Sequence, residues 1–229
     1  FEISSEVWWK PHLEEKMEKD DKNLWIGYMN HHCEKYLLEC ISTETDIKYD
    51  ELQKLSEKLS LDEFTQDLVK RLHKDIGKEI IENAGEYRTI YVKPYQEDFM
   101  YMDPTLIEDK LEELLSQCRE KFKDELSLED AVKYGACFLS QFLFIHPFSN
   151  GNGRVARLLL SYLLSRYIIV PLSLYTGQKT REIYLQCLKD AQWSYELRSP
   201  STLAKFILEC IYKTLYDICV TMDIDISTK

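Results

Sequence analysis

The stretch His146-Pro147-Phe148-Ser149-Asn150-Gly151-Asn152-Gly153-Arg154-Val155-Ala156-Arg157 limits what this chain can fold into more than any other. It follows the apolar segment Phe138 to Ile145 and leads into the apolar, helix-period segment Val155 to Leu164. A histidine therefore stands at the end of one buried helix, and a Gly/Asn-rich turn opens the next. The first N–H groups of a helix have no acceptors within it, and the helix dipole adds positive potential there. Glycines on both sides of Asn152 let the backbone come close to a ligand. Arg154 and Arg157, three apart, lie near one face of the first turns. The pattern is an anion site suited to phosphates, with a base beside it.

At 229 residues the chain is read as a helical N-terminal extension over residues 1–58 and a core domain over 59–229. Seven Gly and six Pro are few, so loops should be short and helices long. The net charge of −11 argues against a nucleic-acid partner, which needs a basic surface. Seven cysteines form no CxxC pair and mostly lie in apolar helical runs, as small buried hydrophobes do. They favour a reducing compartment, and a cytoplasmic location is expected. The first residue is Phe rather than Met, as in an excised fragment. No membrane span is expected: Pro147 and the polar turn interrupt the uncharged run Tyr134 to Gly153, and Arg166 breaks the next apolar run.

The organisation along the chain is helical. Trp8, Trp9 and Trp25 look like packing anchors or a partner face, and a helix is expected through Tyr28, Tyr36, Leu37 and Ile41. Ser60-Leu61-Asp62-Glu63 reads as a capping box for an amphipathic helix carrying Phe64, Leu68, Leu72, Ile76 and Ile80, with a stop at Asn83-Ala84-Gly85. Tyr87 to Val92 and Phe99 to Met102 read as two short strands of a hairpin, at about 87–103. A helix follows Pro104 to about Phe122. Ser127-Leu128-Glu129-Asp130 is a second capping box, starting the helix that delivers His146. Helices over Thr180 to Gln192 and from Ser199-Pro200 through Ile218 complete an all-α bundle with one β-hairpin flap.

At these residues a family likeness becomes specific. The run His-Pro-Phe-x-x-Gly-Asn-Gly-Arg-x-x-Arg resembles the signature of Fic domains, which transfer part of a nucleotide to a hydroxyl of a target protein. Leu72-His73 and Ala84-Gly85-Glu86-Tyr87-Arg88 resemble that family's opening segment, and the hairpin sits where its target-docking flap sits. The likeness spans about Leu61 to Ile218. One position departs: the family usually has an acidic residue where this chain has Asn150. That acid holds the Mg²⁺ bridging the nucleotide's phosphates, and Asn offers only a neutral carbonyl oxygen.

The resemblance implies a role for each position. His146 would be the general base, with a core histidine as the bland alternative. Gly151, Asn152 and Gly153 would cradle the phosphates, with the Asn152 side chain a donor to the α-phosphate. Arg154 and Arg157 would hold the β- and γ-phosphates, because a guanidinium fork matches two phosphate oxygens. Tyr184 would lie near the base, or be core. Tyr91, Val92 and Lys93 on the flap would dock the target by strand addition. Asn150 would be a weak metal ligand. The implied substrates are ATP with Mg²⁺ or Mn²⁺ and a protein bearing a Ser, Thr or Tyr hydroxyl, with a homodimer possible. Two other readings stay open: a nucleotide-binding module inactive through Asn150, and an adaptor using Trp8, Trp9 and the hairpin. No inhibitory Ser/Thr-x-x-x-Glu-Gly/Asn helix is recognisable.

Overall fold

The structure is a computed structural model that describes residues 24, 26–28, 30–32, 61–77, 81–94, 99–168, 171–174, 178–193 and 200–223. Most of the expected N-terminal extension, with Trp8, Trp9 and Trp25, and the capping residue Ser60 lie outside these.

Among the described residues the architecture is a helical bundle. Its bounded helices are α1 (Gln66–Gly77), α2 (Ile107–Lys121), α3 (Leu128–Ile145), α4 (Asn152–Leu164), α5 (Gln178–Trp193) and α6 (Ser201–Thr221). Short 3-10 turns over Leu61–Glu63 and Pro104–Leu106 precede α1 and α2. No described helix is long and apolar enough to cross a membrane.

Helix α3 is the hub, packing against α2, α4, α5 and α6. It carries apolar side chains almost all round, which is what a helix in the middle of a bundle needs. Phe138, Leu139 and Phe142 are fully buried, as are Leu159 and Leu160 of α4 and Leu72 and Ile76 of α1. Emptying such a position to Ala costs about 2–5 kcal/mol. Gly135 sets the α3–α4 approach: a Cβ there would stand 2.9 Å from Leu160 Cδ1. The Ser127 cap forms as the sequence indicates. Its hydroxyl accepts from the Asp130 N–H at 3.1 Å and donates to the Asp130 carboxylate at 2.9 Å. That start fixes the register of α3, and so fixes where His146 emerges.

The β-hairpin expected at about 87–103 is not there: no strand occurs among the described residues. The two arms are extended, and among the described residues one ladder-like bond joins them, Tyr101 N–H to the Val92 carbonyl at 3.2 Å. Two further backbone N–H groups of the arms have their partners at the end of α3. Arg88 N–H donates to the Pro147 carbonyl at 2.9 Å, and Met102 N–H donates to the Phe144 carbonyl at 3.2 Å. The arms are thus tied to the end of α3 as well as to each other. β-propensity read from Tyr, Thr, Ile and Val reports a fit to a half-buried extended surface, and this segment has that without a ladder.

Candidate active site

The end of α3 holds His146 in the left-handed region, φ 49° and ψ 61°. For a non-glycine residue this conformation is uncommon and costly. Several contacts enforce it. The His146 N–H donates to the Phe142 carbonyl at 2.9 Å, and Nδ1 lies 3.2 Å from the Leu143 carbonyl. A carbonyl only accepts, so the ring hydrogen sits on Nδ1 and the lone pair on Nε2. The Tyr101 ring covers one face of the imidazole, centroids 3.7 Å apart and planes 9° apart. Burial pushes the imidazole down to about 4, against the raising effect of the Leu143 bond and with help from the Arg88 charge. At neutral pH His146 is therefore an uncharged base.

The turn after it is built on two side chains. Asn152, 2% exposed, closes both backbone groups of Phe148: Oδ1 accepts from the Phe148 N–H at 2.9 Å and Nδ2 donates to its carbonyl at 2.7 Å. The Asn152 side chain is therefore engaged in shaping the turn. His73 of α1 does the second part. Its Nε2 bonds the Asn150 carbonyl at 3.0 Å, while Nδ1 accepts from the Gly85 N–H at 2.8 Å. Burial lowers its pKa below the ordinary 6.5, and the nearby Arg154 charge lowers it further, outweighing the Asn150 bond. Gly151 takes φ 76°, which a Cβ would disfavour, and that Cβ would also meet His73 Nε2 at 3.2 Å.

Helix α4 begins at Asn152 with no side-chain cap. The Gly151 carbonyl receives the N–H groups of Arg154 and Val155. Among the described residues no backbone acceptor meets the Asn152 and Gly153 N–H groups, so the first turn of α4 keeps the N–H groups and dipole with which a helix start can cradle an anion. Arg157 is buried, and a Cβ on Gly153 would come within 3.1 Å of its guanidinium, so that group lies over the first turn. Arg154 lies in the same turn, partly exposed. His146, Gly151, Asn152, Gly153, Arg154 and Arg157 are brought together at one end of the bundle.

The remaining expected site residues are placed differently. Tyr184 is buried on α5, its ring 5.8 Å from Phe206 of α6. Tyr91 is 59% exposed and donates to the Asp103 carboxylate, and Lys93 is exposed beside it. Val92 is half-buried. Asn150 is exposed, and its Oδ1 accepts from the Gly151 N–H at 2.7 Å. Among the described residues no group of three His, Cys, Asp or Glu could hold a metal ion. Residues whose roles sequence reasoning missed are Tyr101, which stacks on His146, and Arg88, whose side chain reaches the end of α3. The run Ala84 to Arg88 marks Arg88 as part of the family-like opening segment but not what it holds, and nothing local marks Tyr101, because their partners at the end of α3 lie more than forty residues away.

Comparison with known proteins agrees with this arrangement. A family model described as Fic/DOC family matches residues 63–164, the span from α1 through the cradle to the end of α4. A Fido domain-containing protein of Dictyostelium discoideum is 34% identical over 143 residues, 59% of this chain and 94% of that protein. The ribonucleoside-diphosphate reductase small chain of Ostreid herpesvirus 1 is 26% identical over 149 residues, 61% of this chain. The chain spans only 23% of that viral protein's length. Among solved structures, BepC of Bartonella tribocorum with bound AMPPNP superposes with a TM-score of 0.59 at 16% identity, over 84% of this chain and 88% of that one. That likeness is of fold. The sequence match centred on α1, the turn and α4, and near-complete coverage of the Dictyostelium protein, lead to one conclusion: the chain belongs to the Fic/DOC family.

Proposed function

We propose that this chain is a Fic-type nucleotidyltransferase that moves AMP, or another nucleoside monophosphate, from the triphosphate to a Ser, Thr or Tyr hydroxyl of a protein. The observation that carries the reading is the contact of His146 Nδ1 with the Leu143 carbonyl at 3.2 Å. With Nδ1 turned to the Leu143 carbonyl, the lone pair of Nε2 is left for a substrate proton, and the next helix begins without a side-chain cap. The hydroxyl oxygen attacks the α-phosphorus, its proton passes to His146 Nε2, and the bond to the bridging oxygen breaks to release pyrophosphate. The low pKa of the imidazole keeps it unprotonated before substrate arrives. A bound triphosphate raises that pKa by its negative charge, which makes the base stronger when it is needed.

In this reading the Asn152 and Gly153 N–H groups hold the phosphates, with Arg154 on the β-phosphate and Arg157 on the γ-phosphate. The Asn152 side chain fixes the turn through Oδ1 and one Nδ2 hydrogen, which leaves the second Nδ2 hydrogen for an α-phosphate oxygen. The divalent cation arrives as part of the nucleotide substrate, held by phosphates and water, with Asn150 contributing one neutral oxygen. Tyr91, Val92 and Lys93 dock the target's backbone. BepC bound to AMPPNP supports the nucleotide class by analogy of fold.

A second reading is favoured by Asn150 itself. A chain without the acidic ligand binds nucleotide and turns it over slowly or not at all. Incubation with α-labelled ATP and candidate targets separates the two. The first reading expects label on protein, lost in His146→Ala. Equal labelling by both chains would refute it, and ATP binding without any transfer would favour the second.

A further inference from the structure

Arg88 is a guanidinium 4% exposed, and its hydrogen bonds run to backbone carbonyls. Nε donates to the His146 carbonyl at 2.7 Å and Nη1 to the Ile90 carbonyl at 2.7 Å. Nη2 donates to the Met102 carbonyl and, at 3.2 Å, to that of Ile145. These carbonyls come from three places: Ile90 on one arm of the flap, Met102 on the other, and the last turn of α3. A buried charge needs such compensation, and the negative end of a helix dipole is a favourable place for a cation. Five N–H groups in a rigid planar fork can reach acceptors in three segments at once, which an ammonium cannot copy.

The His146 carbonyl that Arg88 holds belongs to a residue in the left-handed region, followed by Pro147. Such a conformation persists only where the surroundings enforce it. The bonds to Phe142 and Leu143 come from the same helix, whereas the Arg88 bond comes from outside it. We propose that Arg88 is the positioning residue of His146, holding the turn that aims the imidazole and locking that turn to both arms of the flap. Tyr101 strengthens the link: its N–H bonds Val92 on the opposite arm, and its ring lies on the imidazole. Target docking and placement of the base are then properties of one assembled unit. Arg88 touches no substrate and acts through His146.

The catalytic consequence rests on the proposed transferase reading, so the test has a readout that does not. In the native protein, nitrogen NMR should show His146 as the Nδ1–H tautomer and the Arg88 Nε–H protected from solvent exchange. In Arg88→Gln the two tautomers should mix, and kcat for transfer should fall about 100-fold with the Kd for ATP unchanged. Arg88→Lys, which keeps the charge without the fork, should fall between. A folded Arg88→Gln that keeps both the Nδ1–H tautomer and the native kcat would overturn the proposal. So would an Arg88 Nε–H that exchanges as fast as an exposed arginine, a measurement needing no variant. If native protein transfers nothing, the tautomer comparison still decides the role of Arg88.

Discussion

The His73 imidazole lies flat on the Phe148 ring, centroids 3.7 Å apart and planes 2° apart. One residue comes from α1 and the other from the turn between α3 and α4, seventy-five positions later. The stack, with the bonds of His73 to Asn150 and Gly85, makes α1 the floor under the turn proposed to cradle the phosphates. The cradle is therefore a tertiary object, although its residues are contiguous in sequence.

Replacing His73 with Leu keeps apolar volume and removes both hydrogen bonds. The Gly85 N–H and the Asn150 carbonyl lose their protein partner, and the chain should lose about 2 kcal/mol of stability. Urea unfolding measures this. Affinity for ATP should fall as well, because the turn is less well held. A change in midpoint too small to measure would show that the stack is incidental.

The pH dependence follows from burial of His146. Its folded pKa is about 4, below the ordinary 6.5. Between these values the unfolded chain binds a proton that the folded chain refuses, so stability falls as pH drops from 6.5 towards 4 and is full above 6.5. His146→Asn should reduce this slope, the remainder coming from His73, whose pKa burial also lowers. Parallel profiles for the two chains would contradict the buried, neutral state of the imidazole.

Asn150→Asp adds a carboxylate at the exposed edge of the cradle, where the side-chain oxygen already meets the Gly151 N–H. The expected outcome is a transfer rate at least 10-fold higher at limiting Mg²⁺, with ATP affinity little changed, since one carboxylate is a typical Mg²⁺ anchor. Rates at stepped metal concentrations check it. Equal metal dependence in both chains would remove Asn150 from any account of turnover.

Much of this was legible in the sequence. The Ser127 cap, the apolar period of α3 and the composition of the turn place a base next to a helix N-terminus, because each is a local signal with a local cause. The flap was misread. Tyr87 to Val92 has strand composition, but Arg88 N–H pairs with Pro147 and the Arg88 side chain gathers carbonyls from both arms. Nothing near Arg88 in sequence reveals that its acceptors are Ile145 and His146. The hold of the Asn152 side chain on Phe148, through Oδ1 and one Nδ2 hydrogen, was not legible, because that partner depends on the turn's closure rather than on the motif.

The central claim is that His146 Nε2 takes the proton of an acceptor hydroxyl attacking the α-phosphate. The most direct measurement compares α-labelled with γ-labelled ATP, in the native chain and in His146→Ala, with the modified residue located by mass spectrometry. The account predicts α-label alone on a Ser, Thr or Tyr of the target, and none with His146→Ala although that chain still binds ATP. Label from the γ-position, or undiminished α-labelling without His146, would contradict it.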